Sequence, residues 1–99
     1  MQDDDLQIRQ EEAHGRGVFF IDINGERVAL QTYRRVDANH VVIDHTQVDD
    51  SLRGRGVARR LLDASVAWAR TTGTRVAATC PYAKAQFDKD PTIRDVLEG

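Results

Sequence analysis

The stretch DDSLRGRGVARRLLDASVAWARTTG, residues 49–73, decides the fold. Its opening, 49–56, is polar and glycine-rich, and the remainder carries a helical period. Stepping about 100° per residue from Val57 puts Ala64, Val57, Trp68, Leu61, Ser65, Ala58, Ala69 and Leu62 on one face. Arg59, Arg70, Asp63 and Arg60 fall on the opposite face, with Val66 at the boundary. The pattern predicts an amphipathic helix over 57–72 laid on a sheet, closed by Gly73 as a left-handed cap.

Upstream, the chain reads as strands. Leu6 and Ile8 alternate with Gln7 and Arg9, a period-two signal. His14-Gly-Arg-Gly17 reads as a turn, and 18–23 is a dense apolar run. Asn24-Gly25 is the strongest short hairpin signal available. Its partner strand, 26–34, has Val28, Leu30 and Thr32 on one face. A turn at 37–39 leads to a fourth strand running from Val41 to about Val48. Downstream of the helix, 75–79 reads as a short strand. A strand–helix–strand crossover normally returns parallel. Pro81 breaks that strand, 82–88 predicts a short helix, and 93–97 one more turn. The expected fold is α+β: antiparallel strands, a long helix, then a parallel fifth strand. The expected domain spans 6–97, after a disordered acidic tail at 1–5.

Composition narrows the function classes. With 99 residues there is room for one domain and one modest core. Fourteen Lys and Arg against sixteen Asp and Glu give a net charge of −2, so nucleic acid is not expected as a partner. No apolar run approaches a membrane span, and no signal peptide is visible. The single cysteine, Cys80, excludes an intrachain disulfide, and no metal-ligand spacing is present. A reducing cytoplasm is the expected location.

Arg53-Gly54-Arg55-Gly56-Val57-Ala58 carries the most chemistry. It joins a strand to a helix N-terminus, where free N–H groups and the helix dipole favour an anion. Glycines admit a phosphate close to the backbone, and Arg53, Arg55 and Arg59 concentrate positive charge in an acidic chain. The loop is neither Gly-x-Gly-x-x-Gly, since position 59 is Arg, nor a Walker A loop. The bland alternative is a tight turn with solvated arginines.

With these residues in place, the sequence resembles the GNAT N-acetyltransferase superfamily. That family's pyrophosphate loop reads Gln/Arg-x-x-Gly-x-Gly/Ala, and Arg53-x-x-Gly56-x-Ala58 fits it. It is most similar to the short, single-domain members of about 100 residues, through Asp44-His45-Thr46, Arg53-Gly-Arg-Gly56 and Cys80-Pro-Tyr82. The resemblance implies acetyl-CoA as cosubstrate and an amine as acceptor. It implies pantetheine along Thr46, Gln47 and Val48, and pyrophosphate on Arg53, Gly54, Arg55, Gly56, Val57 and Ala58. Arg59 could reach a phosphate. Ordinary members carry Asn-x-x-Ala-x-x-x-Tyr after the fifth strand, whose Tyr protonates the leaving thiolate; here the spacing gives Cys80-x-x-Ala83-x-x-x-Phe87. The short members' His-Pro-Glu is here Asp90-Pro91-Thr92.

Two residues are candidates for the chemistry. Cys80 could protonate the leaving thiolate or take the acetyl group itself. His45 could take the amine's proton, and adjacent fourth and fifth strands could bring the two together. On strand alternation, His45 faces away from Asp44. Tyr82 could serve as a reserve acid or touch the cosubstrate. On the residues alone, the plainer readings are a buried strand-end thiol for Cys80 and a strand histidine bonded to backbone for His45. The rival function is a CoA- or acyl-CoA-binding or protein-interaction module without turnover. A monomer or weak dimer is expected, because an exposed strand edge permits pairing without requiring it.

Overall fold

The computed structural model describes residues 6–98. Five strands form one sheet in sequential order: β1 (Arg9–Ala13), β2 (Arg16–Ile23), β3 (Glu26–Asp37), β4 (His40–Val48) and β5 (Arg75–Ala78). The first four pair antiparallel and β5 joins β4 in parallel. The crossover between them is α1 (Val57–Thr72), and α2 (Pro81–Lys89) and a 3-10 helix (Pro91–Val96) follow β5. The fold is the expected α+β. No described helix is long and apolar enough to cross a membrane.

Local chemistry explains the elements. Both tight hairpins place two residues at positive φ, Asn24-Gly25 (53° and 79°) and His14-Gly15 (56° and 78°), as a type I′ turn requires. The second turn is thus tighter than expected, since Arg16 and Gly17 already belong to β2. Gly73 caps α1 at φ 69°, its N–H bonded to the Ala69 carbonyl. Pro81 occupies the first turn of α2, where its missing N–H costs nothing.

One strand reading is corrected. Leu6 and Ile8 precede β1, because the ladder starts at Arg9↔Phe20. Leu6 drops into the core instead, its carbonyl accepting from Arg60 at 3.2 Å. On β3 Val28, Leu30 and Thr32 share a half-buried face, and the fully buried residues are the alternating Ala29, Gln31 and Tyr33. Leu61, Leu62, Val66 and Ala69 of α1 complete the core, so Val66 falls inside its boundary. Trp68 closes one end, 5.2 Å from Tyr33 and 5.8 Å from Phe19 between ring centroids.

Among the described residues, no helix lies on the opposite face of the sheet. There the Arg27 guanidinium lies 3.7 Å above the Phe20 ring. Residues 1–5, including the expected acidic tail, and 99 lie outside the described residues.

Candidate active site in the cleft between the fourth and fifth strands

β4 and β5 pair only from His40↔Arg75 to Ile43↔Ala78. The Ile43 carbonyl then accepts from the N–H groups of both Thr79 and Cys80, at 2.9 and 3.1 Å. Beyond it β4 continues to Val48 along β3, while the chain after Cys80 turns into α2. The two strands therefore part, and the segment Asp44–Val48 has no partner strand on the β5 side. Pro81 drives the parting, since it has no N–H to continue a ladder.

At the far end of that gap lies a cleft of about 280 Å³. It is lined by Val48, Arg53, Gly54, Gly56, Val57, Ala58, Arg59 and Tyr82 from the sequence reading, with Leu52 added. Leu52, 4% exposed, anchors a 3-10 turn (Asp50–Leu52) that sets the loop on the core. Gly54 and Gly56 adopt φ 82° and 67°, and open space surrounds the Cβ position of each. Both are glycine for their conformation, and both leave the backbone bare. Gly56 is the N-cap of α1 and supplies no side-chain cap, so nothing from position 56 covers the first-turn N–H groups. A phosphate fits that arrangement in charge and in space.

The charges divide in a way the sequence did not show. Arg59 is committed within the protein: Nε donates to Asp63 at 2.9 Å, Nη1 to Gln86 at 2.8 Å, and Nη2 to Asp90. It lines the cleft but acts as a latch between α1, α2 and the following 3-10 helix. Asp90 also accepts from the Thr92 hydroxyl at 2.6 Å, and these bonds hold its carboxyl far below the usual range. Arg53 instead stands in solvent, paired at 2.6 Å with an equally exposed Asp50. That pair constrains it little.

Cys80 is 2% exposed and caps α2. Its sulfur lies 3.3 Å from Thr46 Oγ1. His45 is not its neighbour. A bulge passes the register from Tyr33↔Ile43 to Thr32↔His45 and leaves Asp44 over. Asp44 accepts from the Thr32 hydroxyl at 2.6 Å, so Asp44 and His45 both gather beside Thr32. The sequence places them on opposite faces because alternation cannot register a bulge. Thr46 and Gln31, register partners, face α1. His45 thus sits on the open face, where Nε2 lies 3.3 Å from Gln47 Oε1.

Tyr82 lines the cleft from the first turn of α2 and is partly packed on the core. Burial pushes its phenol above the ordinary tyrosine range, with Arg59 pulling the other way. It is therefore a protonated donor at neutral pH. Phe87, at the position where ordinary superfamily members carry Tyr, is 2% exposed and wholly in the core. Gln31 and Gln86 belong to the site's framework and went unnoticed in the sequence, where nothing marks a polar residue as buried or latched; Asp90 was marked only as a departure from the short members' His-Pro-Glu.

A helix N-terminus opening on a gap between two parallel strands that part defines a cleft suited to an anionic ligand. Comparison with known proteins makes this specific. Residues 18–96 match the family model described as GCN5-related N-acetyl-transferase, and the chain belongs to that family. It is 33% identical over 93 residues to Protein NATD1 of Bos taurus, covering 92% of this chain and 80% of that one. The Xenopus tropicalis NATD1 is 31% identical over 91 residues, covering 90% and 83%. Among solved structures, a GCN5-like protein of Staphylococcus aureus superposes with a TM-score of 0.73 at 38% identity, covering 96% of this chain and 90% of that one. A GNAT-family acetyltransferase of Elizabethkingia anophelis with acetyl-CoA bound shares the fold at TM-score 0.63 and 13% identity, covering 86% and 72%.

Proposed function

We propose that this protein binds acetyl-CoA in the cleft and transfers the acetyl group to an amine. The observation that carries this is the uncapped α1 N-terminus with Gly54 and Gly56, facing the gap where β4 loses its partner. Gly54, Arg55, Gly56, Val57 and Ala58 would hold the pyrophosphate by backbone N–H groups, with Arg53 and Arg55 adding charge. The edge of β4 at Thr46, Gln47 and Val48 would pair with the pantetheine amides. Acetyl-CoA supplies an activated acyl group and a stable thiolate leaving group.

The chain's own residues then serve from two sides of β4. Cys80 and Tyr82 stand on the helix side and can protonate the departing thiolate. His45 stands on the open face, where an amine can approach without crossing the core, and can accept its proton. A reducing compartment such as the cytoplasm suits a free thiol at Cys80.

Calorimetric titration of acetyl-CoA tests the binding step. Wild type binds saturably, and Arg55→Glu weakens binding about tenfold or more, the equivalent of ~1.4 kcal/mol. Absence of binding in the wild type overturns the reading. For turnover, CoA release is followed with a panel of amines and amino-terminal peptides, comparing Cys80→Ala, Tyr82→Phe and His45→Ala. General acid–base groups contribute about 10²–10⁴-fold, so each true participant reveals itself at that scale. Wild-type binding without turnover on any amine favours the second reading, an acyl-CoA-binding module, which the apolar Phe87 supports.

A further inference from the structure

Behind Cys80 runs a chain of buried polar side chains that acetyl transfer does not by itself require. Gln31 of β3 is 0% exposed and Ser65 of α1 is 3% exposed. Ser65 Oγ donates to Gln31 Oε1 at 2.6 Å, and Gln31 Nε2 donates to Thr46 Oγ1 at 3.0 Å. Thr46 Oγ1 in turn lies 3.3 Å from Cys80 Sγ. Gln31 alternates with Ala29 and Tyr33 on a face where a Leu or Met would fill the space at lower cost. An amide buried there must make its bonds or destabilise the core.

The chain has a direction. Since Gln31 donates to Thr46, the Thr46 hydroxyl hydrogen remains available to the Cys80 sulfur. In this arrangement the sulfur accepts, as a thiolate must. Turning the Gln31 amide through half a turn reverses every link. The Cys80 S–H then donates to Thr46, Thr46 donates to the amide oxygen, and the amide nitrogen donates to Ser65. Ser65 gives its own hydrogen to the Leu61 carbonyl, which is already 3.1 Å away, one helical turn back. Hydroxyls and primary amides are the side chains that can both give and accept, which is what such reversal demands.

We propose that Ser65, Gln31 and Thr46 form a reversible hydrogen-bond relay, in which Gln31 is the positioning residue that lets Cys80 stand buried as either thiol or thiolate. This rests on Cys80 acting beside the acetyl group. When Cys80 acts as acid, its S–H bond breaks and an S–H bond forms on the departing thiolate. The Cys80 sulfur keeps the electron pair, and Thr46 turns to donate to it. When the sulfur regains a proton from solvent, the links reverse. The relay itself neither gains nor loses hydrogen.

The test is an ultraviolet titration of thiolate absorbance at Cys80, the only cysteine, read as the difference from Cys80→Ala because tyrosines absorb there too once ionised. Cys80→Ala supplies the baseline. Thr46→Val and Gln31→Met are expected to move the appearance of thiolate up by about one pH unit, a tenfold loss of thiolate at a given pH. Thr46→Ser, which keeps the hydroxyl, is expected to titrate with the wild type. Circular dichroism confirms each fold, and Ser65→Ala replaces Gln31→Met if that variant does not fold. Gln31→Met (or its substitute) titrating with the wild type overturns the relay, as does a wild-type sulfur that never ionises before unfolding. Acetyl-CoA calorimetry on the same proteins separates the two ideas: normal binding with unshifted titrations removes the relay alone, whereas no binding removes the acetyl-transfer reading.

Discussion

A hydrogen atom at position 17 decides how β2 and β3 lie together. A Cβ at Gly17 would land on the Tyr33 ring, closer than any real side-chain contact. Tyr33 cannot yield, because its hydroxyl donates to Glu12 at 2.7 Å and accepts from Gln10 at 2.9 Å while its ring packs on Trp68. Gly17→Ala is therefore expected to cost about 1–3 kcal/mol, the range for overpacking a core. For a domain of this size that lowers Tm by several degrees or more, measurable by thermal denaturation. In the sequence, Gly17 reads as part of a turn. Its partner lies on another strand, and no local pattern records that distance.

Among the elements, α1 was legible to the residue and α2 only in outline. A sixteen-residue amphipathic period reports its own buried face, and glycines at both ends mark where it stops. The role of Arg59 was not legible. Beside a glycine loop an arginine reads as a phosphate ligand, but its partners Gln86 and Asp90 stand 27 and 31 positions away. Arg59→Ala is expected to unlatch α2 while leaving α1 intact. Amide exchange in α2 should quicken about tenfold or more, as for other lost charge-assisted bonds, with α1 amides unchanged. Equal protection of α2 in wild type and variant would show that the latch holds nothing. The Asp44 bulge escaped for a different reason: period-two alternation assumes an unbroken ladder.

For the molecule as a whole, pH sets two stability limits through one cluster. Bonds from Arg35 (2.6 Å) and then Tyr33, against the cost of burial, hold the Glu12 carboxyl down at about 2, below its ordinary 4.5. The unfolded chain therefore takes up this proton first, and Glu12's contribution is present above pH 4.5 and is lost as pH falls to about 2. Burial, then the bond to Glu12, pushes Tyr33 up to about 12 from 10.0. Here the unfolded chain releases its proton first, so this contribution disappears as pH rises from 10 to about 12. Urea denaturation across pH should show both declines, and Glu12→Gln should flatten the acid one. The helix-free face, by contrast, was implicit in the sequence: nothing between the early strands is long enough to make a covering helix. Its edge strand β1 is exposed throughout and charged, a composition that discourages sheet-to-sheet pairing.

The sequential order of the sheet also has a kinetic side. β1 to β4 join through short hairpins, so their contacts close small loops and can form early. β5 can dock only after the whole of α1 has been laid down between it and β4. The crossover that creates the cleft is thus the slow, long-loop step of folding, and the unit of β5 with α2 should be the first to let go when the protein opens. A ligand held by the α1 N-terminus, the β4 edge and Tyr82 of α2 would close that seam, so binding would be felt chiefly as a slower rate of unfolding.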